Sequence, residues 1–404
     1  MKKLSFKYIF ITVIMYVLVF QNLLQTFVKP FQYFDEILAL LILPVWVLTS
    51  KRQKKIEGKD FSIIVCLLAI SLIGLFANYS FKYQPLNVAF SDLLLFNKFY
   101  MVYYLSKIIW NKDFIEENSD RMLKNVKFLV RILLILTVLN YLFNLWPAEI
   151  RFGIKANKLF YSHQTILVGT CVFLFSMLNL VKKNNKIKFE QISLMLILLS
   201  TLRFKGFGIM ILVFFITLYV EKTKKKITLS KYAIALLAII FVAWDQISYY
   251  YIDLEYSARN QLTIKSVEVA KDHFPIGSGF GTYGSFVSSE NYSPLYYKYG
   301  LSSIQGLTPR NADFISDTFW PMILGQFGFI GLILYIIILL LILSKIQNEF
   351  RKDCIHLYIA KMICLVYLLI SSTAESAFVH PLAIPLALVL GFNTNSKEMS
   401  ENGK

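Results

Sequence analysis

The chain has 404 residues, 56% of them hydrophobic and 16% aromatic, with a mean hydropathy of +0.57 and a formal net charge of +17. A soluble fold cannot bury that much apolar surface, because a single core stops growing near ~250–300 residues, so an ordinary soluble domain is excluded. The positive charge does not point to nucleic acid either: Lys and Arg form short clusters between apolar runs, and no basic, aromatic patch sits on a polar domain.

The apolar runs have the ~17–25 residues that carry a helix across ~30 Å of hydrocarbon. The short alternating segments of a membrane barrel are not seen, so the fold class is an all-α polytopic membrane protein, similar in outline to the GT-C glycosyltransferases. Lys2, Lys3 and Lys7 precede the first run, which is too long for the apolar core of a signal peptide and reads as an uncleaved span. About twelve spans are predicted, at 8–28, 36–50, 61–77, 92–110, 128–146, 164–181, 190–203, 207–220, 230–248, 318–343, 355–373 and 377–393. Basic clusters follow every second span: Lys51 to Lys59, Lys112 to Lys127, Lys182 to Lys188, Lys222 to Lys226, and Lys345 to Lys352. The positive-inside rule then places both termini in the cytoplasm and the long 249–317 loop outside. The chain divides into helices one to nine (1–248), a large extracellular loop with short amphipathic helices (249–317), helices ten to twelve (318–393) and a polar cytoplasmic tail (394–404). Its four cysteines lack CxxC spacing, so neither a disulfide nor a metal site is expected.

The large loop collects the polar side chains. Residues 259–273 carry Leu262, Val269 and Ala270 at helical spacing, which predicts a short amphipathic helix along the membrane surface, ended by Pro275. Gly277, Gly279, Gly281 and Gly284 then permit positive φ or close backbone approach. The stretch PIGSGFGTYG lacks the GK[ST] of a nucleotide loop, and no cofactor is implied. Residues 285–308, rich in Ser and Tyr, read as a mobile flap, and helix is expected to restart over 309–313.

Asp313 and Asp317 are four apart, so on a helix they share one face; they read either as helix-capping carboxylates or as a general base at a cavity mouth. Arg203, in the tight RFKG turn, and Arg259 each lie near an outer membrane edge. They either snorkel to headgroups or bind a pyrophosphate through bidentate guanidinium bonds, and Arg310 is a further candidate for that anion. Glu375, near the outer end of the eleventh span, is an ionisable residue close to membrane depth. Lys98 in the fourth span reads as snorkelling or paired. Arg151, His163 and His273 are candidate substrate contacts, and His163 reads equally as an ordinary interface residue. Tyr292, Tyr296 and Tyr297 either stack on sugar faces or pack against lipid.

Three pieces of this pattern resemble the O-antigen ligase and polymerase (Wzy-like) family. They are an Arg before a glycine turn (Arg259 and HFPIGSGFGTYG), the following DFISDTFWPMILGQFGFIG, and TLRFKG, with Arg203 in the arginine position of the family's S-R-G element. The motifs cover roughly the last half of the chain, and the span count covers all of it. The resemblance implies glycan transfer from a polyprenyl-pyrophosphate carrier on the outer face of the cytoplasmic membrane, beside a flippase and a chain-length regulator. The family's ligases use a His near the start of the span after the large loop; here Asp313 and Asp317 occupy that neighbourhood. The departure favours a capsular or exopolysaccharide repeat-unit polymerase over a ligase, and leaves the base open among Asp317, Asp313 and Glu375. A flippase for lipid-linked sugars, a GT-C enzyme with an early acidic pair and a non-catalytic assembly partner are the rival readings.

Overall fold

The computed structural model describes residues 5–42, 44–45, 57–110, 112–182, 187–228, 231, 257–352 and 354–392. Nearly all of the expected ninth span, the first eight residues of the large loop and the polar tail lie outside the described residues, as does part of the second span. The chain is mostly helical. In order it forms α1 (Phe6–Phe27), α2 (Phe34–Leu40), α3 (Gly58–Phe81), α4 (Leu86–Ile109), α5 (Lys112–Phe143) and a hairpin of β1 (Ile150–Arg151) and β2 (Ile154–Lys155). There follow α6 (Gln164–Leu180), α7 (Lys188–Ser200), α8 (Phe204–Thr223), α9 (Ala258–Asp272), α10 (Phe286–Glu290), α11 (Pro294–Lys298), α12 (Phe319–Asn348), α13 (Ile355–Ser371) and α14 (Ala383–Leu390).

Among the described residues, α1, α3, α5, α8 and α12 are long and apolar enough to cross a membrane, and α6 and α13 are shorter apolar helices. Their exposed faces say what surrounds them. On α3, Phe61, Val65, Leu68, Leu72, Phe76 and Tyr79 are all exposed, at steps of three or four, while Ile63, Ile70, Gly74 and Ala77 on the opposite face are buried. A continuous apolar stripe on the outside of a helix suits hydrocarbon, not water. Several charged groups are buried within the bundle, each with a partner of opposite charge. Lys98 bonds Asp35 at 2.5 Å and Glu36 at 3.2 Å, and Asp35 also accepts from Gln21 at 3.1 Å. Lys98 therefore pairs and does not snorkel. At the far end of α3, Asp60 meets both Lys107 and Lys345 at 2.6 Å.

Several expectations need correction. Helix α5 starts at Lys112, sixteen residues before the expected fifth span, so the basic 112–127 segment is helical rather than a loop. Its polar side chains at three- and four-residue spacing keep the helix intact beyond the apolar run. The last span shrinks to the eight residues of α14, because 372–382 is a series of turns. Helix α9 is where it was expected, and its buried face of Leu262, Ser266, Val269 and Ala270 packs on α12 and the loop. The 285–308 segment is not a flap. Tyr283, Leu295, Tyr296, Leu301 and Leu307 form a second apolar core with Leu262, Val269 and Ile315, capped by the Ser285–Ser288 and Ser293 turns. Helix does not restart over 309–313; the chain turns through Thr308–Asn311 and Ala312–Ile315, and α12 begins only at Phe319.

The glycine turn holds this loop to the bundle. Helix α12 is broken at Gly328 (φ 65°, ψ −165°), which exposes carbonyls that a helix would have satisfied. The turn fills the gap: Ser278 N donates to Gly325 O at 3.0 Å and Gly279 N to Gln326 O at 2.8 Å. On its other side, Phe280 exchanges two bonds with the Asn78 side chain (2.7 and 2.9 Å), and Gly281 N donates to Asp92 at 2.6 Å. Gly277 must be glycine, since its φ is +74° and a Cβ would lie 2.4 Å from Gly328 N. Irregular backbone is tolerated beside membrane helices where protein satisfies it, and this turn meets that condition.

Candidate functional site

Four helices begin at one end of the bundle, and their first residues meet. His163 caps α6, Arg203 caps α8, Arg259 lies in the first turn of α9, and Asp317 precedes Thr318, the cap of α12. Helix N-termini present unpaired N–H groups and partial positive charge, so a set of them is a favourable place for an anion.

Arg203 is the hub of one half. Its Nη2 donates to Glu149 at 2.9 Å, Gln164 at 2.9 Å and Nε2 of His163 at 2.6 Å. Glu149 stands on the strand-bearing loop between α5 and α6 and uses its second oxygen on Arg151, at 3.0 Å. A guanidinium has only donors, so Nε2 of His163 accepts from it, while Nδ1 turns to Thr165, 2.8 Å from its Oγ1 and 3.3 Å from its backbone N, the contact that caps α6. The His163 ring keeps an accessible edge, yet surrounding protein, and then Arg203, push its pKa down to about 4. His163 is thus neutral at pH 7, with its lone pair occupied by Arg203.

The other half pairs Arg259 with Asp317 at 3.0 Å and Lys205 with Glu375 at 2.5 Å. The two pairs are tied by backbone: Ser376 donates to Ser316 O through both its N–H (3.2 Å) and its hydroxyl (2.7 Å), and Trp320 Nε1 donates to Ser372 (3.0 Å). The charge of Glu375 acts on both His163 and Asp317, and those of Arg203 and Arg259 both act on Lys205, so the halves form one electrostatic neighbourhood.

The two acids differ. Burial raises the Asp317 carboxyl above the ordinary carboxylate range, and Arg259 only partly offsets this, with Glu375 and Asp313 adding to the rise. Burial would also raise Glu375, but Lys205 and then His380 outweigh it and hold its carboxyl below that range. The environments drive the two acids apart: Asp317 is the more basic carboxylate, and Glu375 is held as an anion against Lys205.

The cluster joins Arg203, Arg259, Asp317, Glu375, His163 and Arg151, all of them singled out in the sequence. The remaining candidates lie elsewhere. Asp313 is exposed in a turn beside Asn311, so it shares no helix face with Asp317. Arg310 is exposed in the same turn. His273 is buried on the far side of α9, against Phe81 and Tyr83, with Nε2 bonded to Tyr83 (2.9 Å) and Nδ1 to Val269 O (2.7 Å). Both ring nitrogens are engaged, so it is a packing residue. Tyr296 is fully buried, holding Gly284 N and Ser288, and Tyr292 bonds Leu307 O; Tyr297 alone of the three is well exposed. Sequence reasoning missed Lys205, Glu149, Gln164 and His380. Lys205 was findable, as a second cation two residues from Arg203 in the same tight turn. Glu149 and Gln164 carry no local signal, because only the fold brings them to Arg203.

No family model matches the chain, and no curated protein matches it.

Proposed function

We propose that this protein joins polyprenyl-pyrophosphate-linked oligosaccharide repeat units into a surface polysaccharide, by inverting glycosyl transfer on the outer face of the cytoplasmic membrane. The observation that carries the reading is the meeting of Arg203, Lys205 and Arg259 with Asp317 at the N-terminal ends of four helices. The topology belongs to the same proposal: about twelve spans, both termini in the cytoplasm and the 249–317 loop outside, as the basic clusters require.

A hydroxyl of the incoming unit attacks the anomeric carbon of the growing chain's reducing-end sugar from the face opposite the pyrophosphate. The bond from that carbon to the phosphate oxygen breaks, and its electron pair leaves on the polyprenyl pyrophosphate. Arg203 and Arg259, whose charges both reach Lys205, hold the charge that develops there. Asp317 takes the hydroxyl proton. In the structure Asp317 is bonded to Arg259; a diphosphate that draws the guanidinium to itself releases the carboxylate to act as base. Leaving of the pyrophosphate is downhill, so no nucleotide is required. Of Tyr292, Tyr296 and Tyr297, only Tyr297 is well exposed, and in this reading it meets glycan.

A flippase is the second reading, favoured by the break in α12, since interrupted helices are common in transporters. Against it, the break is filled by the loop's own backbone. Cells lacking the protein distinguish the two. Single lipid-linked repeat units accumulating outside, without long polymer, is the expected result. Units trapped on the cytoplasmic side would replace the polymerase reading with the flippase, and unchanged polymer would discard both, leaving a ligase-type or unrelated role.

A further inference from the structure

Beside the charged cluster lies a cavity of about 200 Å³ between α1, α6 and the 380–385 segment. It follows directly from the cluster, since Ser162 precedes His163 and His380 acts on Glu375. Its chemistry is different: no Asp, Glu, Lys or Arg lines it. One wall is polar, with Gln21, Asn22, Gln25, Ser162 and His380, and the other is apolar, with Phe173 and Leu382 among its residues. Several of the polar groups retain bonding capacity. Among the described residues no side-chain hydrogen bond engages Gln25 or the Ser162 hydroxyl, and the Asn22 amide is used only through Oδ1, by Ser162 N at 3.3 Å. His380 Nδ1 accepts from Leu382 N at 3.2 Å, so its Nε2 carries the hydrogen and is a donor.

An anion would find no cation in this cavity, and an isoprenoid or acyl chain would strand the Gln25 amide, the Ser162 hydroxyl and His380 Nε2. A neutral ring with hydroxyls on its rim and C–H groups on its face suits both walls. The size agrees, because pockets for drug-sized ligands run to ~300–1,000 Å³ and this one is smaller, on the scale of a single sugar ring.

We propose that this cavity is a subsite for one uncharged sugar ring, that of the incoming acceptor unit, held by Gln25, Ser162 and His380 with a hydroxyl toward the Asp317–Glu375 side. The inference rests on the polymerase reading for the word acceptor, but not for the sugar. Charged and neutral recognition are thereby divided: the diphosphate belongs to the arginines and the ring to the cavity.

The test uses full-length Ser162→Cys protein in detergent, labelled with a maleimide, the parent chain giving the background from its own four cysteines. Three probes are added separately: the phosphate-free repeat-unit oligosaccharide released by mild acid from the cells' lipid-linked pool, inorganic pyrophosphate, and polyprenyl pyrophosphate without sugar. The oligosaccharide is expected to slow labelling by about tenfold at ten times its dissociation constant, by mass action at one site, and pyrophosphate to leave it unchanged. No slowing by the oligosaccharide, or equal slowing by the sugar-free polyprenyl pyrophosphate, would overturn the subsite. Polymer is measured in cells with and without the protein. Protection by sugar with polymer independent of this chain would keep the subsite and overturn the polymerase reading; polymer that depends on the chain, without protection, would overturn the subsite alone.

Discussion

At the scale of single residues, function turns on which charges are held by partners and which are released. Arg203→Ala or Arg259→Ala is expected to lower polymer formation in isolated membranes by roughly 10²–10³-fold, the usual effect of losing one group that holds transition-state charge. Arg259→Lys should recover little of it, because an ammonium cannot present the planar fork. Asp317→Asn is expected to cost on the order of 10²–10⁴-fold, the range for a general base, with the protein still present in the membrane. Full activity in Asp317→Asn would transfer the base to another group. The pH profile carries a sign. As the proposed base Asp317 acts deprotonated, and burial raises its pKa, so activity should rise with pH through a value above the ordinary ~4 of Asp. Asp313 is one of the charges that raise it. Asp313→Asn should therefore shift the rising limb to lower pH while leaving the plateau rate; an unmoved limb would separate that limb from Asp317.

At the scale of elements, the glycine turn and the broken α12 form one joint. Gly277→Ala places a Cβ 2.4 Å from Gly328 N, at a φ of +74°. Gly300→Ala adopts a similar φ of +71° but meets open space. The second substitution isolates the backbone cost of ~1–2 kcal/mol, and the first adds a clash with main chain. Thermal unfolding in detergent should show a small loss for Gly300→Ala and a clearly larger one for Gly277→Ala; equal losses would mean that the joint does not bear on stability. Lys98 tests a second kind of element contact, the buried ion pair between α4 and α2. Lys98→Met leaves Asp35 charged and uncompensated, expected to cost about 3–5 kcal/mol, and a partner change of Asp35→Asn should restore most of it.

At the scale of the whole molecule, the two ends of the bundle carry different chemistry. Asp60, Lys107 and Lys345 mark one end, and Arg203, Arg259 and Asp317 the other. In the proposed topology, Tyr297→Cys should react with a membrane-impermeant maleimide in intact spheroplasts, and Lys352→Cys only after permeabilisation. Both residues are exposed. The reverse pattern would invert the topology and move the site to the cytoplasmic face.

The membrane character of the chain, the starts of most of its long helices and the candidacy of Arg203, Arg259, Asp317 and Glu375 were readable from the amino-acid order, whereas the start of α5 was not. Hydropathy is summed over adjacent residues, and an ionisable group beside an apolar run stands out locally. What the order of residues could not decide is what each of those groups faces. Lys205 meets Glu375 across 170 positions and Arg259 meets Asp317 across 58. Tertiary structure also turned the expected flap into a packed core, put Asp313 in a turn instead of on a shared helix face with Asp317 and joined the glycine turn to the gap in α12. These outcomes rest on satisfying buried polar backbone and burying tyrosines against distant partners, and such partners are chosen by the folded chain, not by their neighbours in sequence.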